Sequence, residues 1–238
     1  MKIAVFGLGK LGSVIAAIHA NSGHEVVGID ISEALVSKIN SGAAPFLEPN
    51  LQDLISKAAG RLTATTDPKE ALEDADVSIV IVPTPSESDS KFSNSFVLEA
   101  IESIGESIRD LDKKHTVIIA STVMPGSCDS KLVPALVASS GKSIGKKLGF
   151  VYNPQFIALG SIIKNMRNPD LILIGQSDLE SGELAEGLAL ACAVNEPKIS
   201  RISLASAELA KIAVNTFVTT KISFANMLSE LCDGLPGS

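Results

Sequence analysis

The chain has 238 residues, of which 45% are hydrophobic and 20% are charged, with 18 glycines and 11 prolines. This composition is typical of one large or two small globular domains, and it excludes a disordered or collagen-like chain. The 27 acidic and 20 basic residues leave a formal charge of −7. An excess of acidic residues argues against nucleic acid as a partner.

No apolar run reaches the roughly 18 residues that a membrane span requires, and the N-terminus enters a strand pattern directly rather than a signal peptide. We therefore expect a cytoplasmic protein with no membrane partner. The cysteines Cys128, Cys192 and Cys232 lack the spacing of metal ligands, and the histidines do not cluster with them. We expect reduced thiols and no metal site.

Short apolar runs rich in β-branched residues alternate with segments of helical periodicity. These runs are too short and too uniformly apolar for amphipathic helices, so they predict buried strands of a mainly parallel sheet. The predicted strands are residues 3–6, 25–29, 77–82, 116–120, 150–152 and 171–174. The alternation predicts an α/β fold with a doubly wound sheet.

A single long helix is predicted over residues 205–231, which contain neither proline nor glycine. No predicted strand follows it, so its apolar face is expected to pack against a partner subunit or a further domain. We accordingly divide the chain into residues 1–200, a Rossmann-like domain, and residues 201–238, the start of a second domain. The polar stretch 86–95 is predicted to be a mobile loop.

The first predicted strand leads into a glycine-rich turn that opens a helix. The turn consists of Gly7, Leu8, Gly9, Lys10, Leu11 and Gly12. Its spacing is that of the dinucleotide fingerprint, in which the glycines let the backbone approach a pyrophosphate at a helix N-terminus. Asp30 ends the next strand, about 20 residues further on, as that fingerprint requires.

Asp30 also indicates which dinucleotide is bound. Its carboxylate can accept hydrogen bonds from both ribose hydroxyls but would repel a 2′-phosphate. The following Ile31 and Ser32 offer no arginine that would hold such a phosphate. NAD is therefore favoured over NADP. The alternative is that the glycine loop binds no dinucleotide and serves only as a turn.

Three predicted strands are followed by hydroxyl or amide side chains next to prolines, where ligands bind in open α/β sheets. These candidates are Pro83 and Thr84 after the first of the three, Ser121 and Thr122 after the second, and Asn153, Gln155 and Phe156 after the third. The alternative for each loop is that its polar side chains cap the following helix.

The long helix carries Glu208, Lys211 and Asn215, and the last two share a face because they are four residues apart. Lys211 lies beside the apolar stripe, where its ammonium could stabilise negative charge developing on a substrate oxygen. Alternatively, Lys211 extends to solvent or pairs with Glu208. Spacing alone does not decide between these readings.

Taken together, these motifs resemble the UDP-glucose/GDP-mannose dehydrogenase family, the nucleotide-sugar 6-dehydrogenases. Besides the glycine turn and Asp30, the matching segments are Lys38 with 40–42, then 47–49, 82–85, 121–126 and 153–160, and finally 207–211 with Asn215. The resemblance implies NAD-dependent oxidation of the C6 alcohol of a nucleotide sugar to a carboxylate, through an aldehyde held on a cysteine. It also implies an NAD domain, a central domain with a long helix that forms a homodimer, and a C-terminal nucleotide-binding domain.

The resemblance assigns roles to individual residues. NAD would be held by Gly7, Gly9, Gly12, Asp30 and Lys38, with Pro83, Thr84, Ser121 and Thr122 lining the cofactor pocket. Catalysis would rest on Lys211, Asn215 and Thr122, where Thr122 positions a water. Substrate contacts would come from Gln155, Phe156, Ile157, Lys211 and Asn215.

The chain also departs from the family pattern. Two carboxylates of the family are replaced by Gln155 and Leu159, and a glutamine cannot serve as a general base. The glycine-rich motif of the catalytic cysteine is not found before Ser238. Cys128 lies near a helix N-terminus, a position that favours a lowered pKa, but simple packing is the preferred interpretation. We expect a fragment that binds NAD without completing the oxidation.

Two other functions compete with this interpretation. A two-electron dehydrogenase of the β-hydroxyacid type shares the Rossmann-like domain, the long helix and the Lys-x-x-x-Asn pair, and needs neither the cysteine nor the carboxylates. A non-catalytic NAD-binding module that assembles through the long helix is the second alternative. The matches at residues 47–49 and 153–160 argue against the β-hydroxyacid type.

Overall fold

The computed structural model describes residues 1–88, 91–158 and 160–235. Within these ranges the strands form one sheet in the order β3-β2-β1-β4-β5-β6-β7-β8. The strands are β1 (Lys2–Phe6), β2 (Glu25–Ile29), β3 (Leu62–Thr65), β4 (Val77–Val80), β5 (His115–Ile119), β6 (Leu148–Tyr152), β7 (Leu171–Gln176) and β8 (Lys198–Ile202). The sheet is parallel except where β7 runs antiparallel to β6.

The order of the strands reverses between β1 and β4, which pair directly with Ile3 opposite Val77. A crevice opens at such a switch point, outside the carboxyl ends of the strands. The predicted α/β fold with a mainly parallel, doubly wound, Rossmann-like sheet is confirmed. The candidate residues at the strand ends therefore meet at one edge of the sheet.

Helices cover both faces of the sheet. They are α1 (Lys10–Asn21), α2 (Glu33–Asn40), α3 (Leu51–Lys57), α4 (Pro68–Leu72), α5 (Ser95–Ile108), α6 (Val133–Ser140), α7 (Ile162–Arg167), α8 (Leu179–Cys192) and α9 (Leu204–Asp233). A π-helical turn, Cys128–Leu132, leads into α6. One buried apolar cluster lies against α1, α3, α7 and α8, and the other lies against α5 and α6.

The six predicted strands are confirmed, with ends that differ by up to two residues. The sheet also contains β3 and β8, which were not predicted because both are short and half-exposed. Position 86 pairs with position 92 in an antiparallel bridge inside the predicted loop 86–95. Residues 89 and 90 of that stretch lie outside the described residues.

The predicted long helix is confirmed as α9, which begins on the sheet and then leaves it. Its first turns pack on β7, where a Cβ atom at Gly175 would lie 2.8 Å from the Cβ of Ala207. Only glycine therefore lets the helix approach so closely. Further along, exposed apolar side chains include Leu209, Phe217, Ile222, Phe224, Met227, Leu228 and Leu231. None of the described helices is long and apolar enough to cross a membrane.

Candidate functional site

The glycine turn after β1 is shaped by close backbone contacts. Gly7 has a φ of +96°, and a Cβ there would lie 2.7 Å from the carbonyl oxygen of Ile81. A Cβ at Gly12 would lie 1.8 Å from the carbonyl oxygen of Gly7. These two positions therefore admit only glycine for reasons of packing.

Gly9 differs from the other two glycines because its Cβ position is open. No atom lies within 4 Å of it. Gly9 is also the N-cap of α1, and no side chain caps the helix there. The open approach to the backbone at Gly9, the uncapped amides and the positive end of a helix together fit the pyrophosphate of a dinucleotide.

Asp30 lies beside this turn, as the fingerprint requires. Its carboxylate accepts hydrogen bonds from the backbone N–H of Leu8 at 2.7 Å and of Ser32 at 2.9 Å. Asp30 is half-buried and the next side chain, Ile31, is fully exposed. A carboxylate held at the turn by two amides is positioned to receive ribose hydroxyls.

The remaining predicted cofactor residues near the turn have different environments. Leu8 is buried and its side chain lies over Gly28, while Leu11 packs against the core. Lys10 and Lys38 are exposed on α1 and α2. The two lysines are thus free of the packing constraints that fix Leu8.

The loops that follow β4 and β5 are joined by Ser121. Its buried hydroxyl donates to the carbonyl oxygen of Val82 at 2.7 Å. Ser121 therefore links two loops rather than capping a helix, so the capping alternative is wrong for this residue. Pro83 is exposed, and Thr84 and Thr122 are half-buried beside this link.

The loop that follows β6 is held by amide side chains. Asn153 donates from Nδ2 to the carbonyl oxygen of Leu173 at 2.9 Å. Gln155 donates from Nε2 to the backbone and side-chain oxygens of Asn153, at 3.1 and 3.2 Å. Gln155 therefore acts as a donor within the loop. Leu159, the second departure from the family pattern, lies outside the described residues.

The end of the same loop is anchored by Glu48, a residue of the matched segment 47–49. A carboxylate oxygen of Glu48 accepts the N–H of Ile162, the first residue of α7, at 2.7 Å. This contact was not predicted because its partners are 114 residues apart in the chain.

Lys211 of α9 reaches back to the β6 loop. Its side chain is 7% exposed, and Nζ donates to the carbonyl oxygen of Gln155 at 2.8 Å. Nζ also lies 4.6 Å from the centroid of the Phe156 ring, within the range of a cation–π contact. The interpretation that Lys211 extends to solvent is wrong. Burial lowers the pKa of Lys211 below its ordinary value.

The neighbours of Lys211 on α9 have contrasting environments. Glu208 is fully buried, but its carboxylate accepts the backbone N–H groups of Gly126 and Cys128 at 2.6 and 2.8 Å. These bonds replace the pairing with Lys211 that was considered as an alternative. Asn215 is exposed, one helical turn beyond Lys211.

A cavity of about 320 Å³ lies behind the β6 loop. Gln155, Phe156 and Ile157 line it together with Ile15 of α1 and Val214 of α9. Over the described ranges, none of the residues predicted to bind the cofactor lines this cavity. The structure thus places three predicted substrate residues around a cavity that is separate from the predicted cofactor residues.

Cys128 is not an activated thiol. It is completely buried, and burial together with the nearby Glu208 carboxylate raises its pKa far above the ordinary value. The possibility that the helix N-terminus lowers this pKa is wrong, because desolvation outweighs the helix dipole. Cys128 packs in the core, in agreement with the preferred interpretation.

Comparison with known proteins identifies the family. Residues 1–189 match the NAD binding domain of the UDP-glucose/GDP-mannose dehydrogenase family, and residues 205–237 match its central domain. The chain belongs to this family. The resemblance inferred from the motifs is confirmed, and the NAD-binding domain confirms NAD as the cofactor.

Relatives in this family extend well beyond the length of the chain. GDP-mannose 6-dehydrogenase from Pseudomonas syringae pv. tomato is 35% identical over 97% of the chain and 52% of its own length. UDP-glucose 6-dehydrogenase from Haloferax volcanii is 37% identical over 98% of the chain and 54% of its own length. The chain thus spans about half the length of these relatives.

Solved structures in the family share the fold. The chain is similar to GDP-mannose dehydrogenase from Pseudomonas aeruginosa, solved as a ternary complex, with a TM-score of 0.91 and 35% identity. This match covers 95% of the chain and 52% of the solved one. UDP-glucose dehydrogenase from Pyrobaculum islandicum gives a TM-score of 0.88 with 31% identity, over 95% of the chain and 52% of that structure.

Proposed function

We propose that this chain is the NAD-binding portion of a dehydrogenase that oxidises the C6 alcohol of a nucleotide sugar, of the GDP-mannose or UDP-glucose type, to a uronate. The single observation that carries the proposal is the buried ammonium of Lys211, held 2.8 Å from the carbonyl oxygen of Gln155 at the carboxyl edge of the sheet. The names of the relatives, GDP-mannose 6-dehydrogenase and UDP-glucose 6-dehydrogenase, support the substrate class.

The cofactor site is built on the glycine turn. The open position at Gly9 and the amides of α1 would hold the pyrophosphate, and Asp30 would accept the adenosine ribose hydroxyls. Lys38, Pro83, Thr84 and Ser121 would complete the cofactor pocket. When bound there, NAD supplies the hydride acceptor for the alcohol.

Lys211, Asn215 and Thr122 form the proposed catalytic set. An ammonium has three N–H donors, and the Gln155 carbonyl oxygen occupies one of them. The others would donate to the substrate oxygen, where negative charge develops as the alcohol loses its proton. Asn215 would orient the same oxygen, and Thr122 would position a water molecule.

Gln155, Phe156 and Ile157 are proposed to contact the sugar through the β6 loop. Gln155 carries no carboxylate, so it cannot accept a proton as a general base. The Gln155 amide instead donates to Asn153 and holds the loop in shape. We assign Gln155 a binding role and propose that a different group acts as the general base.

The exposed apolar face of α9 supports a homodimer. More than half of the surface is exposed at each of Phe217, Phe224 and Leu231. A row of large exposed apolar side chains marks a surface that is buried against a partner. We propose that residues 1–200 form the cofactor domain and that residues 201–238 belong to a central, dimer-forming domain. Light scattering on the chain tests this proposal, since a single-chain mass at high concentration would contradict it.

The proposed function is tested by NADH formation in the full-length gene product. GDP-mannose, UDP-glucose and 3-hydroxyisobutyrate are each supplied with NAD. NADH formation with a nucleotide sugar alone supports the proposal. NADH formation with the hydroxy acid alone supports the two-electron alternative, which needs no carboxylate at position 155. NAD binding without oxidation of any substrate would point to the non-catalytic module.

A further inference from the structure

Glu208 is a charged residue in an unusual position for a carboxylate. Its side chain has no solvent exposure, and the described contacts of its two oxygens are with two backbone amides and the Cys128 thiol rather than with a cation. Burying a carboxylate is costly unless hydrogen bonds replace its hydration. Here Oε2 accepts from Gly126 at 2.6 Å and Oε1 accepts from Cys128 at 2.8 Å. Both oxygens are therefore committed to one short segment of chain.

That segment ends the loop that carries Thr122. The loop leaves β5 at Ser121, whose hydroxyl bonds to the carbonyl oxygen of Val82. It ends at Gly126, which has a φ of +85°, followed by the π-helical turn that begins at Cys128. The Ser121 hydroxyl holds the start of the loop and the Glu208 carboxylate holds its end.

The next turn of α9 contacts the adjacent loop. Lys211, three residues after Glu208, bonds to the carbonyl oxygen of Gln155 in the loop that follows β6. Strands β5 and β6 are parallel neighbours, with Ile119 opposite Tyr152. One face of α9 thus bonds to two loops at the same edge of the sheet, because side chains at i and i+3 lie on one face of a helix.

We propose that Glu208 is a positioning residue, which holds the Thr122 loop against α9 and so fixes the position of Thr122 relative to Lys211. Glu208 does not itself touch substrate, because it is completely enclosed. The catalytic part of this inference rests on the proposed function. The anchoring of the loop by Glu208 is independent of it.

The geometry requires a carboxylate of this length. Glutamine has nearly the same shape, but its amide would direct N–H donors at one of the two backbone N–H groups. Aspartate keeps the charge but is one methylene shorter, so it reaches one amide rather than both. Glu208→Gln should therefore lose at least one of the two hydrogen bonds to the backbone amides, and Glu208→Asp should retain one of them.

The test combines turnover with the reactivity of the cysteines. In the full-length gene product, Glu208→Gln is expected to lower kcat at least tenfold with a much smaller change in the KM for NAD, and Glu208→Asp should recover part of kcat. Glu230→Gln, an exposed change on the same helix, serves as the matched control. In the 238-residue chain, Glu208→Gln should speed the labelling of Cys128 by a thiol reagent at least tenfold, because a completely buried thiol meets the reagent only when its segment opens.

Cys192 provides the internal control for this labelling. It is also buried, but it lies on α8 and contacts His19 rather than the Thr122 loop. Its labelling rate should stay unchanged in Glu208→Gln. Equal acceleration at Cys128 and Cys192 would reveal general loosening of the fold and overturn the proposal. Unchanged kcat and unchanged Cys128 labelling would overturn it as well.

The two proposals fail in distinguishable ways. If the unsubstituted gene product oxidises no nucleotide sugar, the proposed function fails, and selective labelling of Cys128 in the 238-residue chain still decides whether Glu208 anchors the loop. If Glu208→Gln does not fold, the same labelling comparison is made with Glu208→Asp. Equal rates for that variant and the unsubstituted chain would then overturn the anchor.

Discussion

The Nζ atom of Lys211 donates a hydrogen bond to the carbonyl oxygen of Gln155, 2.8 Å away. This contact joins the long helix to the loop that follows β6 and holds a cation at the carboxyl edge of the sheet. The Phe156 ring lies 4.6 Å from the same nitrogen. The charge is therefore kept in a largely dehydrated position, where its interaction with a nearby negative charge is stronger than in water.

Replacing Lys211 with methionine tests the role of this ammonium. Lys211→Met keeps the apolar stem but removes the charge, so turnover by the full-length gene product should fall by about 100-fold or more. Its free energy of unfolding should change by about 1 kcal/mol or less, because the lost hydrogen bond is offset by the relief of burying a charge. Lys221→Met, at an exposed position of α9, is the control. Unchanged turnover in Lys211→Met would rule out the catalytic role.

Two glycines of the turn allow packing to be separated from cofactor binding. Gly12→Ala places a Cβ 1.8 Å from the Gly7 carbonyl oxygen, so it should destabilise the fold by about 1–3 kcal/mol or more. Gly9→Ala meets no atom within 4 Å, so it should fold normally but weaken NAD binding at least tenfold.

Urea unfolding and calorimetric titration with NAD measure the two effects. If Gly9→Ala binds NAD as tightly as the unsubstituted chain, the dinucleotide does not approach this turn. Equal losses of stability in both variants would also contradict the geometry described for the turn.

Asp30 should determine the preference between the two dinucleotides. Asp30→Ala removes the acceptor for the ribose hydroxyls and the charge that repels a 2′-phosphate. We expect the Kd for NAD to rise about tenfold to 100-fold, corresponding to the 1.5–3 kcal/mol of hydrogen bonds to a charged group. The preference for NAD over NADP should shrink at the same time.

Asp53→Ala, an exposed change on α3, is the control for that titration. It should leave both dissociation constants unchanged. A preference for NAD that survives in Asp30→Ala would show that other residues exclude the 2′-phosphate.

Two buried histidines predict a loss of stability in mild acid. Burial lowers the pKa of His19 and of His115 to about 4, from an ordinary value of 6.5. Both are neutral in the fold and become protonated in the unfolded chain. Stability is therefore full above pH 6.5 and is lost as the pH falls towards 4.

At pH 5 the loss should be about 2 kcal/mol for each histidine relative to pH 7.5. Carboxylates contribute little in this range because their ordinary pKa values lie lower. Urea unfolding at the two pH values measures the difference, and His19→Gln should remove about half of it. His24, which is only partly buried, is the comparison, and His24→Gln should change the difference less. A pH-independent free energy of unfolding would contradict the burial of these rings.

The shape of the glycine turn and the place of Asp30 beside it could be predicted from the sequence because their determinants are local. Gly7, Gly12 and Asp30 lie within one strand-helix-strand unit, where spacing alone reports the backbone geometry. Strands buried on both faces were likewise predicted, as in Val77–Val80. Leu62–Thr65 and Lys198–Ile202 were missed because half-exposed strands of four or five residues lack a continuous apolar run.

Contacts between distant segments could not be predicted in the same way. Glu208 was recognised only as a neighbour of Lys211, and its partners are backbone amides about 80 residues away, which carry no signature in the sequence. For Lys211 the spacing left both burial and exposure open, since a lysine beside an apolar stripe can extend to water. Lys211 is buried because the start of α9 packs closely on the sheet at Gly175.

The most direct test of the central claim is the amount of NADH formed per nucleotide sugar consumed by the full-length gene product. Oxidation of a C6 alcohol to a carboxylate removes four electrons, so our account predicts two NADH for each GDP-mannose or UDP-glucose converted to a uronate. A failure to form NADH with any nucleotide sugar, together with NADH formation from a small hydroxy acid, would contradict it.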